Sequence, residues 1–338
     1  MFDAQGLGSR YATKRFLRKV DEIRPDLVHI HAIHGCFMNY PLLFNYLYRR
    51  DIPVIWTLHD CWAITGHCVH FERTGCDQWK TQCAKCLQKH DFPVSFFLDR
   101  CKRNYSLKRD LLVKMRKMHI TTVSQWMMGV VEQSFLKEFP IRVVPNGINT
   151  DDFKYSESTI KTQYNIGDKK LILAVASGFG KRKGIIDFAA LSQVLSEEYQ
   201  LLLVGVNDND IKVLPKNIIP VKRANGVKEL TAFYSAADVL LSLSYEETFG
   251  LTIIEAMACG TPAIVYANTA QPELITESTG MVVPNGDLDG IKRAIESICA
   301  RGKTYYSSAC REHAKEYDER KTYRNYLDLY SRVSNQQV

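Results

Sequence analysis

The chain has 338 residues, room for roughly two domains of ~150 residues each, and is 46% apolar, 11% aromatic and 24% charged. That balance is typical of a soluble globular protein and excludes a disordered, collagen-like or coiled-coil chain. No apolar run reaches the ~18–20 residues that cross a bilayer, and the opening Met1-Phe2-Asp3-Ala4-Gln5-Gly6 has neither the basic start nor the apolar core of a signal peptide. The expected location is therefore the cytoplasm. The net charge of +7 is uneven: residues 1–150 hold 22 Lys+Arg against 13 Asp+Glu (+9), and the remaining 188 hold 22 against 24 (−2). A basic half can attract nucleic acid, anionic lipid or acidic substrates, and charge alone does not choose among them.

Short β-branched or apolar runs at 27–31, 53–58, 120–123 and 141–144 alternate with helix-length amphipathic stretches, and so do runs at 171–176, 201–206, 218–221, 239–243, 263–266 and 281–283. Several are near-continuously apolar, as parallel strands buried on both faces are. Strand–helix alternation along the whole chain predicts an α/β fold with parallel sheets.

In chain order, the first run carries His29 and His31, with His34 just beyond. These are either a metal cluster or histidines lining a strand end. The second run leads into Trp56-Thr57-Leu58-His59-Asp60-Cys61-Trp62. A cysteine-rich insertion at 61–90 follows, its densest part being Cys68-x7-Cys76-x6-Cys83-x2-Cys86. Disulfides are rare in a reducing compartment, so Cys68, Cys76, Cys83 and Cys86 read either as a structural zinc site, the last pair having knuckle spacing, or as buried inert thiols. His67 or His70 could replace one ligand. Next, residues 100–117 hold eight cations with Leu107, Leu111, Leu112 and Met115 between them. This is either a basic amphipathic helix for an anionic membrane surface or a solvated helix face. No aromatic platform or nucleic-acid module accompanies it, so nucleic acid is not an expected partner.

Pro145-Asn146-Gly147-Ile148-Asn149 is a turn signal at the place where the charge balance changes sign. It sets the predicted domains: 1–147, then 148–315, with a C-terminal helix at 316–338 packing back towards the first. The helix, drawn from about Arg311, shows Tyr323, Tyr326, Leu327 and Tyr330 at apolar-stripe spacing.

After the run at 171–176 comes Ser177-Gly178-Phe179-Gly180-Lys181-Arg182-Lys183-Gly184, a Gly-rich turn with three cations that suits a diphosphate or is a basic surface turn. Asp208-Asn209-Asp210 reads as turn chemistry rather than a metal-binding motif. After 239–243 comes Glu246-Glu247-Thr248-Phe249-Gly250-Leu251-Thr252-Ile253-Ile254-Glu255, and Gly260 and Pro262 close the helix that it opens. Glu247 falls beyond a strand's carboxyl end, where open α/β sheets bind ligands. Amides at Gly250, Leu251 and Thr252 would favour a phosphate, and Glu255 could reach a sugar hydroxyl pair.

Glu247-x7-Glu255, the turn with Arg182-Lys183-Gly184, and Val144-Pro145-Asn146-Gly147-Ile148 together resemble the family 4 glycosyltransferases. The segment 56–62 with its downstream cysteines is similar to the branch that builds bacterial capsule, exopolysaccharide or lipopolysaccharide chains. The resemblance implies the GT-B fold, two Rossmann-like domains facing a cleft. It implies a retaining transfer from a nucleotide-diphosphate sugar (UDP- or GDP-sugar) to a glycan or lipid-linked acceptor, with no cofactor for catalysis. If the basic stretch is the membrane-binding helix, the cytoplasmic enzyme would be peripheral on the inner face of the membrane.

Carried over by position, Lys183 and Arg182 would neutralise the diphosphate, with Gly180 in the cradle. Glu255 would hold the ribose hydroxyls, and Glu247 would contact the transferred sugar. Amides from Phe249 through Gly250, Leu251 and Thr252 would lie near sugar and phosphate, and His59 would be the first-domain active-site histidine. The family's Arg five residues ahead of the Lys is Gly178 here. Relatives also place a strand and a Gly-rich loop ahead of an opening like this one. The first domain therefore reads as incomplete at its start, with an unpaired sheet edge. On that reading the alternative is a truncated, non-catalytic nucleotide-sugar-binding relative.

Overall fold

The computed structural model of the chain describes residues 2–335; Met1 and the last three positions of the predicted C-terminal helix, 336–338, lie outside the described residues. The chain divides into two compact units, Met1–Pro145 with Arg324–Val338, and Asn146–Tyr323. The division falls within the predicted Pro-Asn-Gly turn.

The first unit runs α1 (Arg10–Ile23), β1 (Val28–Ile30), α2 (Tyr40–Arg50), β2 (Val54–Leu58), α3 (Cys101–Leu112), β3 (Met118–Thr122), α4 (Gln125–Val131) and β4 (Ile141–Val143). Its four strands pair in chain order, all parallel. Every residue of β2 is buried, as a strand covered on both faces requires. Local chemistry sets the helix starts. The Asn39 side chain accepts from the Leu42 amide at 3.1 Å and Ser124 from the Met127 amide at 3.2 Å, each satisfying an N–H that the first helical turn leaves unpaired. Helix α3 turns Tyr105, Leu111 and Leu112 into the core. The apolar side of the basic stretch is thus used internally, and Lys102, Arg103, Lys114, Arg116 and Lys117 are exposed.

The second unit runs α5 (Ile160–Gln163), β5 (Lys170–Val175), α6 (Ile185–Val194), β6 (Tyr199–Val204), α7 (Asp208–Val213), β7 (Ile218–Val221), α8 (Val227–Ala236), β8 (Val239–Ser242), α9 (Leu251–Ala258), β9 (Ala263–Tyr266), β10 (Gly280–Val283), α10 (Leu288–Arg301) and α11 (Lys303–Ala314). All neighbouring strands are parallel in the order β10-β9-β8-β5-β6-β7. The chain moves outward from β5 to β7, then returns to lay β8 on the other side of β5. The β5/β8 boundary is therefore the point where strand order reverses, the place at which doubly wound sheets bind ligands. The core is β5, β6, β8 and β9 side chains packed by Phe188, Leu191, Ile253, Ile254, Met257, Ile291 and Ile295, all buried.

The predicted helix from Arg311 is in fact two. Helix α11 ends at Ala314, Asp318 takes an extended conformation, and α12 spans Glu319–Asn335. The Ile148 and Asp318 backbones form a bridge at that break. The stripe on α12 also differs from expectation. Leu329 and Val333 are buried and join Ile55 and Tyr330 in one cluster, whereas Tyr323 and Leu327 are 57% and 60% exposed. The sequence count picked aromatic residues on two adjacent helix faces, and only the face through 326, 329, 330 and 333 finds a partner.

Candidate active site

In the second unit the loops that follow β5 and β8 meet. The first carries a single turn of 3-10 helix at Lys181–Lys183. Gly184 ends that turn with φ +73°, and a Cβ there would stand 2.4 Å from the Leu243 carbonyl oxygen at the end of β8. Only a residue without a side chain lets the two loops close to this distance. The Tyr245 amide then donates to the Arg182 carbonyl at 2.9 Å, and the Arg182 guanidinium donates to the Glu246 carbonyl at 3.4 Å.

The closure brings Lys183 and Glu247 into a direct ion pair. Both side chains are largely covered, at 18% and 21% exposure. The Glu247 amide donates to the Thr269 hydroxyl at 3.0 Å, and its carbonyl accepts the Ala270 amide at 3.2 Å. The loop after β9 thus holds Glu247 from behind. Thr269 was not among the sequence candidates; the signal for it was its place just beyond a strand end, next to that of Glu247.

Helix α9 opens at Leu251, directly after Gly250, with the positive end of its dipole at the same strand ends. The Phe249 ring does not face outward. It is buried and packs against Tyr317 with ring centres 5.7 Å apart, leaving only its backbone for a ligand. Glu255, on α9, accepts a hydrogen bond from the Tyr234 hydroxyl at 2.6 Å. Burial raises the Glu255 carboxyl above its ordinary value, while the Tyr234 bond works against that shift.

Gly180 departs from its expected role. Its amide and that of Phe179 donate to the buried Asp210 carboxylate at 3.2 and 3.3 Å. Those N–H groups are therefore taken by the protein, and Gly180 serves the turn rather than a phosphate. Asp208-Asn209-Asp210 is the first turn of α7, with Asn207 and Asp210 forming a reciprocal capping box. Asp210 thus joins a helix start to the Gly-rich loop, a link between residues 30 apart that no local pattern announces.

In the first unit His59 follows β2 and faces a ladder of imidazoles. His59 Nε2 lies 2.9 Å from His31 Nδ1, with the rings stacked, and the His31 ring lies 4.2 Å from that of His29. His29 is held by the Tyr330 hydroxyl at 2.6 Å and by Thr57 Oγ1 at 2.7 Å, and Thr57 also bonds the Tyr326 hydroxyl at 3.0 Å. Burial, then the neighbouring imidazoles, pushes His29 down to about 4. Burial also lowers His31, and burial followed by His31 lowers His59. All three rings are thus neutral at pH 7, and His31 and His59, whose ring nitrogens meet, can exchange a proton, while both nitrogens of His29 are engaged by Tyr330 and Thr57. His34 faces Asp60 at 3.6 Å. Asp60 caps the following turn through the Trp62 amide at 2.8 Å.

The structural-zinc expectation does not hold. Among the described residues no group of three or more His, Cys, Asp or Glu could hold a metal. Cys68 and Cys86 are free thiols that share a hydrogen bond, Cys83 accepts the Gly66 amide at 3.3 Å, and Cys76 lines a cavity beside α4. Burial pushes the Cys83 thiol up to about 11. The insertion is fastened by other means. The fully buried Lys108 donates to the Trp62 carbonyl at 2.5 Å and lies 3.6 Å from the centre of the Trp62 ring, and Tyr105 donates to the Trp79 carbonyl at 3.0 Å. His67 bonds Asp3 at 2.6 Å. Burial disfavours its charged form, but the Asp3 carboxylate outweighs this and raises the imidazole.

Two family models match the chain, the Glycosyltransferase Family 4 model over residues 2–152 and the model for glycosyl transferases group 1 over 156–317. WcaC of Escherichia coli (strain K12), named for colanic acid biosynthesis as a glycosyl transferase, is 22% identical over 268 residues, 77% of this chain and 64% of the relative. N-acetyl-alpha-D-glucosaminyl L-malate synthase of Bacillus anthracis is 31% identical over 184 residues, 51% of this chain and 48% of the relative. The chain thus spans under two thirds of the length of these relatives. Among solved structures, sucrose-phosphate synthase from Thermosynechococcus elongatus superposes with a TM-score of 0.71 at 22% identity, over 95% of this chain and 77% of that one. Anabaena Alr3699/HepE in complex with UDP does so with a TM-score of 0.70 at 14% identity, over 94% and 81%. These likenesses establish the GT-B fold of two Rossmann-like domains. With adjoining glycosyltransferase models over both of its units, the chain belongs to the family 4 glycosyltransferases.

Proposed function

We propose that the chain is a retaining hexosyltransferase that moves a sugar from a nucleotide-diphosphate sugar to a glycan or lipid-linked acceptor in the synthesis of bacterial cell-surface polysaccharide. The observation that carries this reading is the meeting of Lys183, Arg182, Glu247 and the start of α9 at the β5/β8 reversal. Cations and helix-end amides at that place suit a leaving diphosphate. The relative WcaC, named for colanic acid biosynthesis, and a Klebsiella pneumoniae relative encoded in a cps region support the polysaccharide context. Neighbouring structures solved with UDP and UDP-glucose support a uridine donor.

On this reading Lys183 and Arg182 neutralise the diphosphate, and the Leu251 and Thr252 amides add N–H donors. Glu255 takes the ribose hydroxyls with the carboxyl oxygen that Tyr234 leaves over. Glu247 contacts the sugar that is transferred, and His59 is the active-site histidine of the first unit. The acceptor oxygen bonds to the anomeric carbon on the face from which the diphosphate departs. The bond from that carbon to the phosphate oxygen breaks, and the acceptor's proton goes to the departing phosphate. No helix among the described residues is long and apolar enough to cross a membrane. We place the enzyme in the cytoplasm against the inner membrane face, drawn there by the exposed cations on and after α3.

Thermal stability measured with UDP, GDP and ADP tests the donor site. At ~100-fold excess over Kd a ligand adds about 2.7 kcal/mol, or roughly 5–10 °C for a domain of ~150–250 residues. UDP is expected to stabilise the chain and Lys183→Ala to abolish the effect. A folded chain indifferent to all three nucleotides overturns the reading.

A further inference from the structure

A cavity in the first unit, of about 460 Å³, opens between the cysteine-rich insertion and α4. Its size falls within the ~300–1,000 Å³ of small-ligand sites, which combine apolar or aromatic walls with a few converging polar groups. The walls are aromatic: Phe71 and Trp79, stacked 4.7 Å apart, and the half-buried Trp126 of α4. The rim is polar, with Gln125 and Gln133 on one side and Asp77 and Lys80 on the other. Asp77 and Lys80 pair at 2.7 Å, and with Glu72 also in the lining the formal charge is negative, which disfavours a phosphate or a nucleotide.

Trp79 lies almost wholly inside the cavity wall. It is 3% exposed, and its indole N–H finds no hydrogen-bond partner among the described residues. Leaving such a donor buried and unmet costs about 1–3 kcal/mol, and an orphan of this kind calls for an explanation. That N–H is out of reach of solvent, so a ligand in the cavity meets it only if the Trp79 ring shifts towards the opening.

We propose that this cavity is a glycan-binding subsite that holds a neutral sugar ring of the acceptor chain. A pyranose has an apolar C–H face that lies on an indole such as that of the half-buried Trp126, and a rim of hydroxyls that both donate and accept, as glutamine amides and carboxylates require. Position supports the assignment. Leu58 pairs with Thr122 in adjacent parallel strands, so His59 and the start of α4 leave the sheet side by side. A glycan seated against Gln125 and Trp126 extends along the strand ends towards His59. The subsite rests on the transferase reading for its acceptor, but its binding chemistry does not depend on the donor site.

The test is saturation-transfer difference NMR on the full chain. The probes are the methyl glycosides of glucose, galactose and N-acetylglucosamine and their β-linked trisaccharides, with uridine and adenosine as flat-ring counter-probes. UDP-induced thermal stabilisation is measured in parallel as the readout of the second unit. At least one saccharide is expected to bind, with affinity weakened at least tenfold in Trp126→Ala and in the exposed pair Gln125→Ala with Gln133→Ala, while UDP still stabilises every variant. Saccharide binding that survives both variants overturns the subsite, as does a preference for the nucleosides or silence from every saccharide while UDP still binds. Failure of UDP alone strikes at the proposed reaction and leaves the cavity's own test standing.

Discussion

Lys183 has one ammonium group and, on the proposed mechanism, two claimants: the Glu247 carboxylate that holds it in this structure and the diphosphate of a donor. The pair is mostly covered but not sealed, so its strength is on the order of 1 kcal/mol rather than that of a fully buried bridge. Glu247→Gln keeps the shape and removes the competitor. UDP binding by calorimetry is then expected to tighten about fivefold, the equivalent of ~1 kcal/mol, while the transfer rate falls at least tenfold because the carboxylate contacting the sugar is gone. Opposite signs in binding and turnover are the signature of competition. Weaker UDP binding in the variant would mean that Glu247 orients Lys183 for the phosphate instead of restraining it.

At the level of elements, the site exists because two loops from strands far apart in sequence close on each other, and Gly184 is the hinge of that closure. Gly184→Ala meets two obstacles, a left-handed φ costing about 1–2 kcal/mol and a Cβ 2.4 Å from the Leu243 carbonyl. The expected result is a loss of about 2–3 kcal/mol in urea unfolding, adding displacement of the loop to the φ cost, together with loss of UDP stabilisation. Gly167→Ala is the control. It has φ +62° with nothing within 4 Å of a Cβ, so about 1 kcal/mol should be lost and the UDP effect kept. Equal behaviour of the two variants would show that the close approach at Leu243 does not matter. Much of this level was legible in the sequence. All ten strands lie at the apolar runs, because a strand buried on both faces must be apolar along its length. Lys183, Glu247 and the start of α9 stood out because glycine, charge and helix signals are local. The order of strands did not, since the return of β8 to the side of β5 is a matter of packing. Nor did Asp210 as the anchor of Gly180, or Trp79 and Trp126 as walls of one cavity, since each joins residues from separate segments. The four cysteines misled because spacing does not set ligand geometry: Cys68 meets Cys86, yet among the described residues no group of three could hold a metal.

For the whole molecule the uneven charge creates an apparent conflict. Residues 1–150 carry +9 and the rest −2, yet the anionic donor is assigned to the second unit. At physiological ionic strength charges act over about 8 Å, so a diphosphate responds to Lys181, Arg182, Lys183 and the α9 amides rather than to a sum over a hundred residues. A membrane presents an extended anionic surface, which can engage many scattered cations at once, each worth about 1 kcal/mol near the headgroups. The exposed Lys102, Arg103, Lys114, Arg116 and Lys117 fit that role by charge alone, because the apolar side of α3 is spent on the core. Hydrogen exchange should therefore separate the two anions. UDP should slow exchange most at 177–184 and 243–258, whereas vesicles containing phosphatidylserine should slow it at 101–117, the vesicle effect vanishing in high salt and absent with phosphatidylcholine alone. Strongest UDP protection at 101–117 would show that the basic half draws the donor after all. Vesicle protection that resists salt would show an apolar contact that α3, as packed here, has no free side to make.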